Sequence, residues 1–240
     1  MGAQWKQAGK VANSNKKGAM VSKLAKEIAV AAKMGDPHPE NNSRLRAAVE
    51  AARRASVTRE TIERAIKKGA GLLDEQVIYE TQVFEGFAPH KVPVIVECLT
   101  DNKNRTTADI RVMFRKGQLG AVGSVAWMFD RLGVVEATHS DKTMDIEGVA
   151  IEAGAQNVEP LEPAAVPEGQ IGARFVTEIT DLDAVSKFLT QAGWSLTLSE
   201  MSYLAKNFSE VSDEQKKEIA DFLIAIDEHD DVHRVYAALK

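Results

Sequence analysis

The apolar residues of this chain change their period once, across Gly69 and Gly71, and that change limits what it can fold into. Before it, Val21, Leu24, Ala25, Ile28 and Ala32 recur at helical spacing and fall within about a 100° arc. Lys23, Lys26 and Lys33 project from the opposite side of that helix. Gly35 and the stretch Asp36-Pro37-His38-Pro39 end it. A second helix is predicted from Ser43 to Ala55, with Leu45, Ala48, Val49 and Ala52 inward and Arg46, Arg53 and Arg54 away from that stripe. A third starts at Thr58 as N-cap, with Val57 and Ile62 placed as a hydrophobic staple and a Glu63–Lys67 pair on its surface. Gly69 and Gly71 stop it, so residues 1–70 read as a small helical domain with a basic exterior.

After Gly71 strands and helices alternate. Strands are predicted at Gln76–Phe84 and Val92–Thr100, a helix from Thr106 to Lys116, then a strand at Ser124–Phe129 that turns through Asp130–Gly133 into Val134–Thr138. Residues 134–203 follow as strand, helix (Met144–Ala153), strand (Asn157–Leu161), strand (Ile171–Ile179), helix (Asp181–Gln191) and strand (Trp194–Met201). That order is the split βαβ, or ferredoxin-like, pattern. Ser212 and Gln215 form a capping-box signature before a helix with Ile219, Phe222, Leu223 and Ile226 inward, and Val232–Tyr236 is a last strand. These two final elements have no neighbour of their own and are assigned to the sheet begun at residue 76. The fold class is α+β.

The formal charge of −5 over 240 residues conceals a division. Residues 1–70 hold 15 Lys and Arg against 6 Asp and Glu, a balance of +9, while residues 71–240 carry −14. Such asymmetry marks a polyanion-facing segment on an acidic carrier. No window approaches the roughly 20 apolar residues of a membrane helix. The single Cys98 excludes a disulfide framework and a cysteine-based metal site. The first residues lack an apolar core for secretion, a Ser or Thr at position 6 for myristoylation, and arginines for an organelle transit peptide, so the expected location is cytoplasmic.

Motifs for catalysis and cofactors are missing. Neither GxxxxGK[ST] nor GxGxxG occurs, and Gly117, Gly120 and Gly123 precede a strand. Cys98 lies in an apolar run, as a buried thiol does. His229 and His233 are four apart among acids, but the helix is expected to end between them, so no metal is assigned. The loop Asp101-Asn102-Lys103-Asn104-Arg105 could offer amides and cations to an anion. Trp127 and Trp194 are placed in strand cores, whereas Trp5 among lysines suits base stacking.

Several stretches resemble the YebC/PmpR family of probable transcriptional regulators, whose mitochondrial relatives are translational activators for cytochrome oxidase subunit I. They are Lys16-Lys17-Gly18 with Val21–Ile28, Asn42–Ala48, Arg64–Gly69, Val96–Thr106, Gly123–Phe129 and the ending from Asp230 to Tyr236. Where the family carries Tyr-Glu-Gly-Tyr-Gly-Pro, this chain reads Phe84-Glu85-Gly86-Phe87-Ala88-Pro89, and its basic start is sparser. The resemblance implies three domains: an N-terminal helical domain (1–75), a discontinuous α/β domain (76–133 with 204–240), and an acidic ferredoxin-like domain (134–203) inserted into it. It implies no enzymatic activity and no cofactor.

The expected function is therefore a non-enzymatic, DNA-binding regulator of gene expression. Trp5, Lys6, Lys10, Lys16, Lys17, Lys23, Lys26, Arg44, Arg46, Arg53, Arg54, Lys67 and Lys68 are the candidate nucleic-acid contacts, with Asn102, Lys103, Asn104 and Arg105 at a cleft loop. Two alternatives stay open: a translation factor on ribosomal RNA, and a cleft that binds a small ligand. The acidic segment 136–240 is left for a protein partner, and no membrane is involved.

Overall fold

A computed structural model describes residues 14–73 and 79–239 as an α+β chain in two compact units. Unit one takes the described residues of 1–27, 75–130 and 203–240; unit two takes those of 28–74 and 131–202. Helix α1 (Ser14–Met34) gives its first part to unit one and its last part to unit two. It starts earlier than the apolar stripe reveals, because residues 14–20 carry no Pro and few apolar positions to set a period.

Unit two continues with α2 (Ser43–Arg54) and α3 (Arg59–Gly69). Asn42 caps α2 by accepting from the Leu45 amide, and Thr58 caps α3 by accepting from Thr61. Gly69 has a second duty beyond stopping α3. A Cβ there would lie 2.1 Å from the Ala29 carbonyl oxygen, so α3 passes α1 at a distance only glycine permits. The rest of the unit is strand β4 (Phe129–His139) from Arg131 onward, α5 (Ile146–Ala153), β5 (Asn157–Pro160), β6 (Ile171–Thr177), α6 (Leu182–Gln191) and β7 (Ser195–Ala205) up to Ser202. The sheet order β5-β6-β4-β7 is the ferredoxin-like order. Its core is Val135, Ala137, Ala173, Phe175, Val185, Leu189 and Trp194, with the Trp194 ring edge-on to Phe175.

Unit one is a four-stranded sheet in the order β3-β1-β2-β8, from β1 (Glu80–Ala88), β2 (Val92–Thr100), β3 (Gln118–Leu119) and β8 (Val232–Ala237). Helices α4 (Lys103–Met113) and α7 (Asp213–Asp227) cover one face with Ile110, Ile219, Phe222, Leu223 and Ile226, joined by Phe114 just past the end of α4. The final helix and strand thus complete the sheet begun at β1, as expected. On the other face Ile95 and Tyr236 pack with Val125 and Phe129. Both faces being covered explains the nearly unbroken apolar sequence of β2. The capping box of α7 is formed in both directions between Ser212 and Gln215.

Three local expectations are corrected. Residues 126–128 are a 3₁₀ turn, and β4 runs unbroken from Phe129, so no hairpin turns at 130–133. Helix α4 begins at Lys103 under an Asn102 cap, three residues before the first position that periodicity marks. Trp127 is 66 % exposed rather than a core residue, whereas Trp194 is buried as expected.

Candidate nucleic-acid interface

Of the candidate contacts near the start, Trp5, Lys6 and Lys10 lie outside the described residues, and Lys16 and Lys17 are described only as backbone of α1. The next two are committed within the fold. The Lys23 ammonium donates to the Asp227 carbonyl oxygen, with the Asp227 carboxylate at 4.0 Å. Lys26 places its three N–H donors on Asp231 Oδ1 at 2.8 Å, the Asp230 carbonyl at 2.9 Å and the Leu99 carbonyl at 3.5 Å. Its side chain is only 15 % exposed. The expected solvent-facing role of these two lysines is therefore corrected: the Lys23 side chain is likewise only 20 % exposed, and the two ammonium groups are taken up by Asp227, Asp230, Asp231 and Leu99.

Asp231 is the hub of this arrangement, although in the sequence it is only one of the acids around His229 and His233. Its side chain is 4 % exposed. Oδ1 takes Lys26; Oδ2 accepts from Arg105 Nη2 at 2.9 Å and from Thr106 Oγ1 at 2.9 Å. The Asn102 amide donates to Thr100 Oγ1, and the Thr100 and Thr106 hydroxyls, 2.8 Å apart, both lie within hydrogen-bond reach of the carboxylate. Burial alone would raise the Asp231 pKa, but the bonds from Lys26, Arg105 and Thr106 outweigh it and hold the group well below the ordinary carboxylate range. Cys98 nearby goes the other way: burial first, then the Asp231 charge, pushes its thiol up to about 12. It is an inert core residue.

Two of the cleft-loop candidates, Asn102 and Arg105, serve the same network. Asn102 caps α4, Lys103 pairs with Glu80, Arg105 bridges Asp101 and Asp231, and Asn104 is exposed. The two histidines weighed as metal ligands also face carboxylates, His229 at 3.3 Å from Asp109 and buried His233 at 2.6 Å from Glu27.

On α2 and α3 the candidates divide. Arg46 is turned inward, donating to the Pro39 and Glu40 carbonyls and to Thr190 Oγ1. Arg44 lies against Met34 Sδ, and Lys68 is half-buried. Arg53, Arg54 and Lys67 are exposed; Arg53 keeps a surface pair with Glu50, and Arg54 donates to the Thr197 carbonyl. The pair expected for Glu63 is made with Arg59, at 2.6 Å. Exposed Arg64, outside the candidates, joins Lys67 on α3.

A second carboxylate escaped the sequence reading. Buried Glu85 on β1 accepts from the amides of Gly123 at 2.7 Å, Val125 at 2.9 Å and Ala126 at 2.8 Å. Burial again opposes ionisation, and the three amides together win, keeping the pKa below its ordinary value. The glycine-spaced segment is thus a loop gathered around an anion of the protein itself, with Gly123 at φ +85°.

Comparison with known proteins places this geometry among relatives. Residues 2–72 match the family described as the TACO1/YebC protein N-terminal domain, and residues 79–239 match the TACO1/YebC second and third domain. A "Probable transcriptional regulatory protein" of Pseudomonas syringae pv. tomato is 54% identical over 240 residues, covering all of this chain and 99% of that one. One of the same description from Bdellovibrio bacteriovorus is 50% identical with both chains fully covered. The crystal structure of a conserved hypothetical protein from Aquifex aeolicus superposes with a TM-score of 0.80 at 36% identity, over 99% of this chain and 96% of that one.

Proposed function

The chain belongs to the TACO1/YebC family, and from that premise we propose that it is a cytoplasmic, non-enzymatic regulator of gene expression that binds nucleic acid through its basic N-terminal region. Its three domains would be 1–75, 76–133 with 204–240, and 134–203. The observation that carries this reading is the solvent-facing set Arg53, Arg54, Arg64 and Lys67 on α2 and α3, within a segment whose balance is +9. The family relatives named as transcriptional regulators support the same reading. Lysines and arginines of this kind meet phosphates, which position a protein without reading sequence. The acidic remainder would repel a polyanion and orient the approach.

The test is an anisotropy titration of the full chain with duplex DNA and with structured RNA between roughly 50 and 200 mM salt. Affinity is expected to fall steeply with salt, and Arg53→Glu with Lys67→Glu should lower the log–log slope by about 2. Salt-independent binding by both polymers would refute phosphate docking. Reversing Lys23 or Lys26 instead would test folding, because both are held inside unit one. A phosphate-reading surface accepts DNA and ribosomal RNA alike, so co-migration of the full chain with ribosomal subunits, lost in the Arg53→Glu, Lys67→Glu protein, distinguishes the translation factor.

A further inference from the structure

Residues 110–129 contain no Asp or Glu, and their charges are Arg111, Arg115 and Lys116. All three are exposed, and none pairs with a described carboxylate. That separates them from Lys103 and Arg105 on the same helix, which are neutralised by Glu80, Asp101 and Asp231. Phe114 turns into the core between them at 3 % exposure, so the cations stand outside the covered face.

The chain then passes round the rim of the sheet. β3 is the edge strand, paired on one side to Gly86 and Phe87 of β1. Residues 111–116 reach it from the face covered by α4, and residues 121–129 leave it on the face where Val125 and Phe129 are buried. The loop on that second side is not slack, since Glu85 fastens it through three amides. It nevertheless presents Val122 at 93 % exposure and Trp127 at 66 %, with the indole N–H steadied on the Ser124 carbonyl at 3.2 Å.

Val122 and Trp127 together expose apolar surface on a loop that Glu85 holds in place, and exposed apolar surface on a fixed loop suits a binding surface. Along the same rim, eleven to sixteen residues before Trp127, stand Arg111, Arg115 and Lys116 with no counter-charge among the described residues, and acids are absent from 110 to 129. We propose that this rim binds single-stranded nucleic acid, with Trp127 stacking on a base and Arg111, Arg115 and Lys116 meeting phosphates where the strand passes round the edge at β3. Every base has a π-face and every nucleotide a phosphate, so such a surface takes single strands with little sequence preference. A duplex keeps its bases stacked and gives the indole nothing to cover. This goes beyond the reading above in both place and ligand: it lies in unit one, away from α2 and α3, and it selects strandedness.

The experiment compares the full chain with Trp127→Ala, Trp127→Phe and Arg115→Glu plus Lys116→Glu, each checked for an unchanged circular-dichroism melting curve. The probes are a labelled twelve-nucleotide oligouridine and a mixed-sequence duplex DNA. Expected is at least a tenfold loss of oligouridine affinity in Trp127→Ala, partial recovery in Trp127→Phe, and a shallower salt dependence in the double reversal, with duplex binding unchanged throughout. In a Trp5→Phe background, oligouridine should quench the tryptophan emission, and Trp127→Phe should abolish that quenching, since Trp194 is 2 % exposed. Oligouridine binding equal in parent and Trp127→Ala, or equal losses for both polymers, overturns the proposal and leaves the patch to a protein partner. Loss of duplex binding in Arg53→Glu, Lys67→Glu with oligouridine binding intact bears on the α2–α3 surface alone, so the two readings fail separately.

Discussion

Replacing Asp231 by Asn is the sharpest test of how unit one is held together. Asn keeps the volume of the side chain and one acceptor oxygen, but removes the charge that faces Lys26 at 2.8 Å and Arg105 at 2.9 Å. Its amide nitrogen must then point at an ammonium or at a guanidinium and hydroxyl, all of them donors. With Asp231 4 % and Lys26 15 % exposed, water cannot replace the lost partner. Breaking a buried pair from one side costs about 3–5 kcal/mol. For a chain of this size about 1 kcal/mol moves a melting temperature by roughly 2–4 °C, so the transition of unit one should fall by about 6–20 °C. Calorimetry at pH 7 measures it, and the loss should persist at 1 M salt because a buried pair is little screened. The acid limb gives an independent sign. The folded Asp231 pKa is depressed, so its stabilisation is full above the unfolded value near 3.9 and is lost as pH falls below it. The Asn variant should accordingly lose less stability than the parent between pH 5 and pH 2. A loss under about 1 kcal/mol at pH 7, or an unchanged acid slope, would refute the role given to Asp231.

Glu85→Gln should destabilise by about 1–3 kcal/mol, because one amide nitrogen must then face backbone N–H donors. Hydrogen exchange at Gly123, Val125 and Ala126 should accelerate in that variant, and unchanged protection there would show that the loop holds itself. Gly69→Ala places a methyl carbon 2.1 Å from the Ala29 carbonyl, so urea unfolding should register about 1–3 kcal/mol of loss. A stabilised variant, as helix propensity alone would give, would mean that α3 and α1 do not pass so closely.

What the sequence disclosed follows from where the information lies. The helical periods, the Thr58 cap and the Ser212–Gln215 box are local, and each is present in the structure, whereas the strand placed at Ser124–Phe129 is a loop and a 3₁₀ turn up to Met128. The ferredoxin-like order of unit two came from element order alone. The start of α4 was missed because Lys103-Asn104-Arg105 carries no apolar residue to set a period, although Asn102 was a readable cap. Trp127 was misplaced because aromatic residues near a strand are more often buried than not, and its exposure depends on a carboxylate about forty residues earlier. Asp231 and Lys26 are 205 residues apart, and nothing local in either announces the other.

That separation also changes what segmental charge means. The balance of +9 over residues 1–70 overstates the positive surface of the described helices, since Lys26 is neutralised by Asp231, Arg59 by Glu63 and Arg53 in part by Glu50. The nearly neutral stretch 71–135 understates its own: its acids are spent on Lys103, Arg105, His229 and the loop amides, and Arg111, Arg115 and Lys116 remain without counter-charges among the described residues. Net charge along a sequence counts residues, whereas a polyanion meets only those whose partners the fold has not already supplied. By that measure unit one, balanced on paper, carries three exposed cations without counter-charges among the described residues, on the same rim as an exposed indole.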